Sequence, residues 1–257
     1  MQMNMKSVKG IIMMILVLIC VISGFVSISS FLSKKQDEAA YENLRESVHT
    51  PLETTVAETE PLTESSEETN VIVESTKSAE NVIPSGIRNL MDQNSNVVGW
   101  ITINDTNIDY PIVQNKDDNE YFLHRDINGE KNSAGSIYLD SNHEMNETGL
   151  HVIYGHHMKN GTMFKDIVKF RDSDYMKKHQ NIKIWTNEKE LTLKPVYCYA
   201  GPADGSYRSS FDSTAELQEF LKEKTGETIS SDNVFVFITC SYGSADERTY
   251  LICEEEG

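Results

Sequence analysis

The chain has 257 residues and a formal net charge of −17 at pH 7. That is length for one ordinary domain with appendages, and an acidity that argues against nucleic acid and against docking on an anionic lipid surface by charge. None of the four cysteines, Cys20, Cys198, Cys240 and Cys253, sits in a C-x-x-C pair, which sets aside a zinc ribbon and a thioredoxin-type dithiol.

Residues 10–32 carry no charge and are mostly apolar. At about 1.5 Å per residue they are long enough to cross a bilayer core of roughly 30 Å. A cleaved signal peptide is the competing reading, because Ser27-Ile28-Ser29 offers a small-x-small site. The uncleaved form makes residues 1–9 a cytosolic tail and 10–32 a transmembrane signal anchor, with the lipid membrane as a partner of this N-terminal helix. Lys6 and Lys9 before the stretch and Lys34 and Lys35 after it do not fix its orientation. Residues 33–80 read as an acidic, disordered stalk. From Gln36 to Glu80 twelve acids face only Arg45 and Lys77, and too little apolar surface is present to offset the chain entropy. Inside that stretch Tyr41, Leu44 and Val48 have helical spacing. Residues 81–257 form the folded domain.

The domain is mainly strand. Candidate strands are Val97–Ile103, Thr106–Val113, Ser136–Asp140, Leu150–Tyr154, Asn181–Thr186, Glu190–Ala200, Val234–Ile238 and Arg248–Cys253. They are β-branched or alternating runs separated by Asn, Asp and Gly clusters. Asn187, Glu188 and Lys189 supply a hairpin turn. Helices are few. Ile87, Leu90 and Met91 give one short stripe, with Ser85 as its candidate cap. Ser213 and Glu216 fit a capping box, Leu217, Phe220 and Leu221 form a stripe, and Gly226 suits a C-terminal stop. Eight strands with a late inserted helix predict a closed or nearly closed antiparallel-rich barrel, since closure removes exposed edges.

Three cysteines in the domain leave at least one unpaired there. Cys198 and Cys253 lie within strand patterns and read as packing residues. Cys240 ends an apolar strand, where a rigid support meets a rim that a ligand can reach. A reactive cysteine needs a nearby cation or base, and Arg248 follows after seven intervening residues. Arg248 is either a surface partner of Asp246 or Glu247 or a forked donor for a developing oxyanion. A second strand exit, Tyr154-Gly155-His156-His157, places histidines at a rim. No H-x-x-x-H or H-E-x-x-H spacing accompanies them, so no metal is expected. His49 reads as part of the stalk, and His179 as a solvated position.

The strand–Thr239-Cys240–seven residues–Arg248 pattern, with Tyr154-Gly155-His156-His157 at the end of an earlier strand, resembles the sortases, cysteine transpeptidases of Gram-positive cell envelopes. The stretch from Asn96 to Asp140 and the run Tyr154–Phe164 look like class B members, and the likeness covers most of residues 81–257. The resemblance implies a sortase-like eight-stranded β-barrel with an N-terminal helix and an inserted helix before the cysteine strand. It implies Cys240 as nucleophile, His156 as general acid/base and Arg248 as oxyanion or substrate-backbone donor. Asn119, Leu123, Tyr154 and Thr239 are similar to substrate-binding positions. No cofactor is implied. The implied partners are surface proteins with a C-terminal sorting motif and an amine of a peptidoglycan precursor or cross-bridge. The implied location is the cell membrane, with a cytosolic N-terminus and an extracellular catalytic domain. The family often reads Thr-Leu-x-Thr-Cys before the nucleophile, and here Val236 and Phe237 replace the first two residues. A cysteine hydrolase on the same barrel and a non-catalytic envelope-binding module remain the alternatives.

Overall fold

The computed structural model describes residues 5–49, 83–240 and 246–256. Its strands are β1 (Val97–Ile103), β2 (Asp109–Val113), β3 (Ile137–Leu139), β4 (Leu150–Tyr154), β5 (Ile182–Trp185), β6 (Glu190–Pro202), β7 (Val234–Cys240) and β8 (Glu247–Glu255). They close a barrel in the order β1-β2-β3-β4-β7-β8-β6-β5, and β5 returns to β1. All eight predicted strands form, and the β5–β6 hairpin turns where expected, with Thr186 N–H bonded to the Lys189 carbonyl.

The barrel is mixed rather than wholly antiparallel. β2 runs parallel to β3, and β4 parallel to β7. A parallel pair needs a long crossover rather than a tight turn. The β2–β3 crossover carries a 3-10 turn over Tyr121–His124. The crossover from β4 to β7 holds β5, β6 and four further helical segments. Two of these, a 3-10 helix over Phe164–Arg171 and α-helix Ser173–Lys178, have no periodicity long enough to read from sequence. There His179 is not merely solvated, since its ring stacks on Tyr175 at 3.9 Å.

Strand parity divides the apolar residues into two layers. Phe235 and Phe237 of β7 face the barrel interior with Leu251 and Cys253, their partners on β8. Val234, Val236 and Ile238 face outward with Tyr250 and Ile252. That outer patch is covered by Tyr207 and by Leu217 and Leu221 of the inserted helix Thr214–Thr225. The capping box forms in a shifted version. Ser213 Oγ accepts from Glu216 N–H, whereas the Glu216 carboxylate accepts from Asp212 N–H at 2.9 Å, one residue before the cap. The helix closes on Gly226. At helix Ser85–Gln93 the N-cap position is Pro84, with no side-chain cap, so Ser85 is the first helical residue instead.

The N-terminal region corrects two expectations. First, helix Met5–His49 is continuous, so the short helix around Tyr41 is the end of a 45-residue element. That end is not solvated stalk. Tyr41 and Val48 are buried, Tyr41 Oη donates to the Gly135 carbonyl at 2.8 Å, and Arg45 Nε donates to the Asp109 carbonyl at 2.8 Å. His49 Nε2 bonds the Asp109 carboxylate at 3.0 Å, which also accepts from Trp100 Nε1 and Thr102 Oγ1 of β1. The rest of the predicted stalk, residues 50–80, lies outside the described residues. Second, the single-pass placement in the cell membrane, with a cytosolic N-terminus and an extracellular domain, is corrected. Among the described residues no helix is long and apolar enough to cross a membrane. Met13, Phe25 and Leu32 are among the apolar side chains that this helix exposes.

The helix–barrel contact is testable. Tyr41→Phe removes one buried hydrogen bond and is expected to cost about 1 kcal/mol. Tyr41→Ala also removes the ring that meets Tyr110 edge-on at 5.5 Å, and is expected to cost about 3–5 kcal/mol. Urea unfolding of both variants checks this, and equal midpoints for Tyr41→Ala and the parent would contradict the packing role.

Candidate active site

Strand β7 is paired on both sides along its length. On one side the antiparallel register sets Cys240 directly opposite Arg248 of β8. Residues so placed share a face, with Cβ atoms about 4.5–5.5 Å apart. On the other side the parallel register steps evenly from Leu150↔Val234 to Tyr154↔Ile238. Carried two residues further, that register sets His156 level with Cys240. Two bonds hold the extension in place: Gly155 N–H to the Ile238 carbonyl at 3.1 Å, and His157 Nδ1–H to the Cys240 carbonyl at 2.8 Å.

Parity then decides which side chains meet. Ile238 faces outward, so Cys240 does too. Tyr250 faces outward, so Arg248 does too, and His156 follows Val152 and Tyr154. Cys240, His156 and Arg248 thus lie at three adjacent strand ends on one face, each half-buried. The structure does not bring Thr239 to that face. Its side chain is 2% exposed and points into the barrel opposite Thr249. Val236 and Phe237 are also fully buried, one under the inserted helix and the other edge-on to Phe164 at 5.8 Å. The departure from the family pattern therefore alters packing beneath the site rather than its surface.

Gly155, in the strand exit, has a steric role. A Cβ there would lie 2.6 Å from the Phe164 ring and 2.5 Å from Ile137, so any side chain would push the strand exit off the barrel.

His156 is held by the Tyr121–His124 turn. The Leu123 carbonyl is within 2.8 Å of Nε2. A carbonyl only accepts, so Nε2 carries the proton, and in the neutral ring Nδ1 keeps the free lone pair. Burial, with a smaller contribution from neighbouring His124, holds the His156 pKa below its ordinary value, although the Leu123 bond opposes this. A neutral base with a defined proton-accepting atom follows. The other domain thiols are unsuited to nucleophilic work. Burial pushes Cys198 up to about 12 and Cys253 well above the ordinary thiol value, and the reactive species is the thiolate. The described cysteines are all free.

The remaining predicted residues frame this face. Tyr154 stacks on Tyr138 at 5.1 Å, and its hydroxyl donates to Asp140 Oδ2 at 2.8 Å. Leu123 is partly buried in the turn, and Asn119 Oδ1 accepts from Ser141 N–H at 2.8 Å. Sequence reasoning missed Asp140. It is fully buried and also takes Arg208 Nε at 2.8 Å from the β6–β7 insertion, so one carboxylate ties that insertion to Tyr154. Its place at the end of a strand next to Asn and Ser was the only local signal.

The Sortase domain model matches residues 101–256. A sortase B of Listeria monocytogenes is 35% identical over 153 residues, covering 58% of this chain and 61% of its own. A sortase B of Staphylococcus aureus is 25% identical over 238 residues, covering 92% of this chain and 87% of its own. Among solved structures, sortase B of Clostridium perfringens superposes with a TM-score of 0.60 at 29% identity, covering 66% of this chain and 99% of that one. With a closed eight-stranded barrel of the same kind, the chain belongs to the sortase family of cysteine transpeptidases, in its class B branch.

Proposed function

We propose that the chain cleaves a C-terminal sorting motif after a threonine and joins the released protein to an amine of the cell wall. The observation that carries this reading is the convergence of Cys240, His156 and Arg248 on one outer face through the pairing of β4, β7 and β8. His156 Nδ1 takes the thiol proton while Cys240 Sγ bonds to the threonine carbonyl carbon. The carbonyl π electrons move to oxygen, and the Arg248 guanidinium balances that charge. The C–N bond then breaks, and His156 returns its proton to the leaving amine. A thioacyl enzyme remains. An incoming amine attacks it, gives its proton to His156, and expels the thiolate, which recovers the proton. Asn119, Leu123 and Tyr154 stand as the lining of the peptide groove. Transfer to an amine rather than water requires that amine to be positioned at a shielded thioester.

A fluorogenic peptide library with a fixed threonine, with triglycine as the amine, tests the reading on the full-length chain. The expected product is an amide of the acyl portion with triglycine, and Cys240→Ala is expected to abolish it. Parent-like cleavage by Cys240→Ala would overturn the assignment, and free acid as the sole product would favour a hydrolase. Arg248→Ala is expected to lower kcat about 10²–10³-fold, the usual cost of losing an oxyanion donor. Arg248→Lys should recover only part of that, because an ammonium lacks the planar fork; full recovery would mean that charge alone suffices.

The pH profile follows from the lowered His156 pKa. Protonated His156 cannot accept the thiol proton, so activity falls as pH drops through its pKa. The acid limb of kcat/KM is expected below the ordinary histidine value of about 6.5. A midpoint at or above that value would contradict the buried, neutral base.

A further inference from the structure

Two features of one short turn converge on His156. The Leu123 carbonyl accepts its Nε2–H at 2.8 Å. The next residue, His124, lays its imidazole against the His156 ring, with centroids 5.4 Å apart and planes 19° from parallel. His124 is exposed, whereas His156 is half-buried. One face of the His156 ring is therefore covered by a second titratable ring.

The turn itself is fixed from beneath. Asn132 N–H donates to the His124 carbonyl and Ser136 N–H to the Phe122 carbonyl, both at 3.0 Å. Gly135 has φ +59°, and a Cβ there would lie 2.3 Å from the Leu123 carbonyl oxygen. Only glycine lets the chain pass under the atom that orients His156. The Gly135 carbonyl in turn accepts from Tyr41 Oη of the N-terminal helix. An unbroken set of contacts thus runs from that helix to the turn, and from the turn to His156.

We propose that His124 is a positioning residue for the transpeptidation, clamping the His156 ring plane against the Leu123 carbonyl and opposing its protonation. The inference rests on the reading of His156 as the acid/base. Two cations stacked this closely repel, so when His124 gains a proton it disfavours a proton on His156. Among the described residues, strand register sets Cys240 of β7 beside His156 and Arg248 of β8 beyond it, and His157 adjoins His156 in the chain. Arg125, next in the turn, is turned over the Tyr121 ring at 4.6 Å. Burial of His156 acts in the same direction as His124.

Two variants separate the geometric role from the electrostatic one. His124→Phe keeps a flat ring and removes the charge. His124→Ala removes both. In the full-length chain, His124→Phe is expected to keep plateau kcat/KM within about twofold of the parent while its acid limb moves to higher pH by about half a unit. His124→Ala is expected to move the limb likewise and to lose about tenfold on the plateau, since the ring plane is freed. Histidine ¹⁵N NMR reads the His156 titration in parent and variants with no substrate present. It should show the same upward movement, and in the parent an Nε2-protonated neutral tautomer. A failed peptide assay would therefore overturn the function while leaving the His124 test intact. An unchanged His156 titration in both variants, or an activity loss equal at every pH, would overturn the proposal.

Discussion

The pairing of β7 on both edges is the constraint on which the rest of the molecule depends. A strand apolar on both faces is stable only when both faces are covered, and here the barrel interior takes Phe235 and Phe237 while Tyr207 and the inserted helix cover Val234, Val236 and Ile238. With both faces and both edges fixed, β7 cannot slip by one residue without turning its whole apolar set around. Cys240 inherits that rigidity. Its neighbours on either side are set by register alone, Arg248 from an antiparallel strand and His156 from a parallel one.

The mixed pairing has a further consequence. Because β4 and β7 run the same way, both end at the same rim, and their exits carry Cys240 and His156, the pair proposed to exchange a proton. Because β2 and β3 are also parallel, a long crossover must connect them, and it carries the turn that orients His156. An all-antiparallel barrel would place β4 and β7 ends on opposite rims. The parallel pairs thus account for both the placement of the proposed proton-transfer pair and its support. The Asp140 carboxylate adds a third tie, joining Tyr154 to the insertion that holds Arg208.

Much of this was legible in the sequence because strands are local. Alternation and β-branched runs marked all eight, and strand exits at Cys240 and His156 marked the candidate site. Parity was legible as well: if Cys240 faces outward then Thr239 must face inward, so the burial of Thr239 follows from the same alternation that located the strand. What sequence could not carry were contacts made by irregular backbone. The Leu123 carbonyl, the His124 ring and the Asp140–Arg208 pair join segments with no shared periodicity. The acidic stretch after the apolar run misled differently, because composition describes an average, and Tyr41, Arg45, Val48 and His49 are among the residues in it that touch the barrel.

The measurement that bears most directly on this account is intact-mass analysis of the full-length chain mixed with the threonine-fixed peptide library and no added amine. A thioacyl adduct on Cys240 alone, lost on adding triglycine and absent from Cys240→Ala, is the result the account predicts. An adduct on Cys198 or Cys253, or cleavage of the peptides without any adduct passing through Cys240, would contradict it.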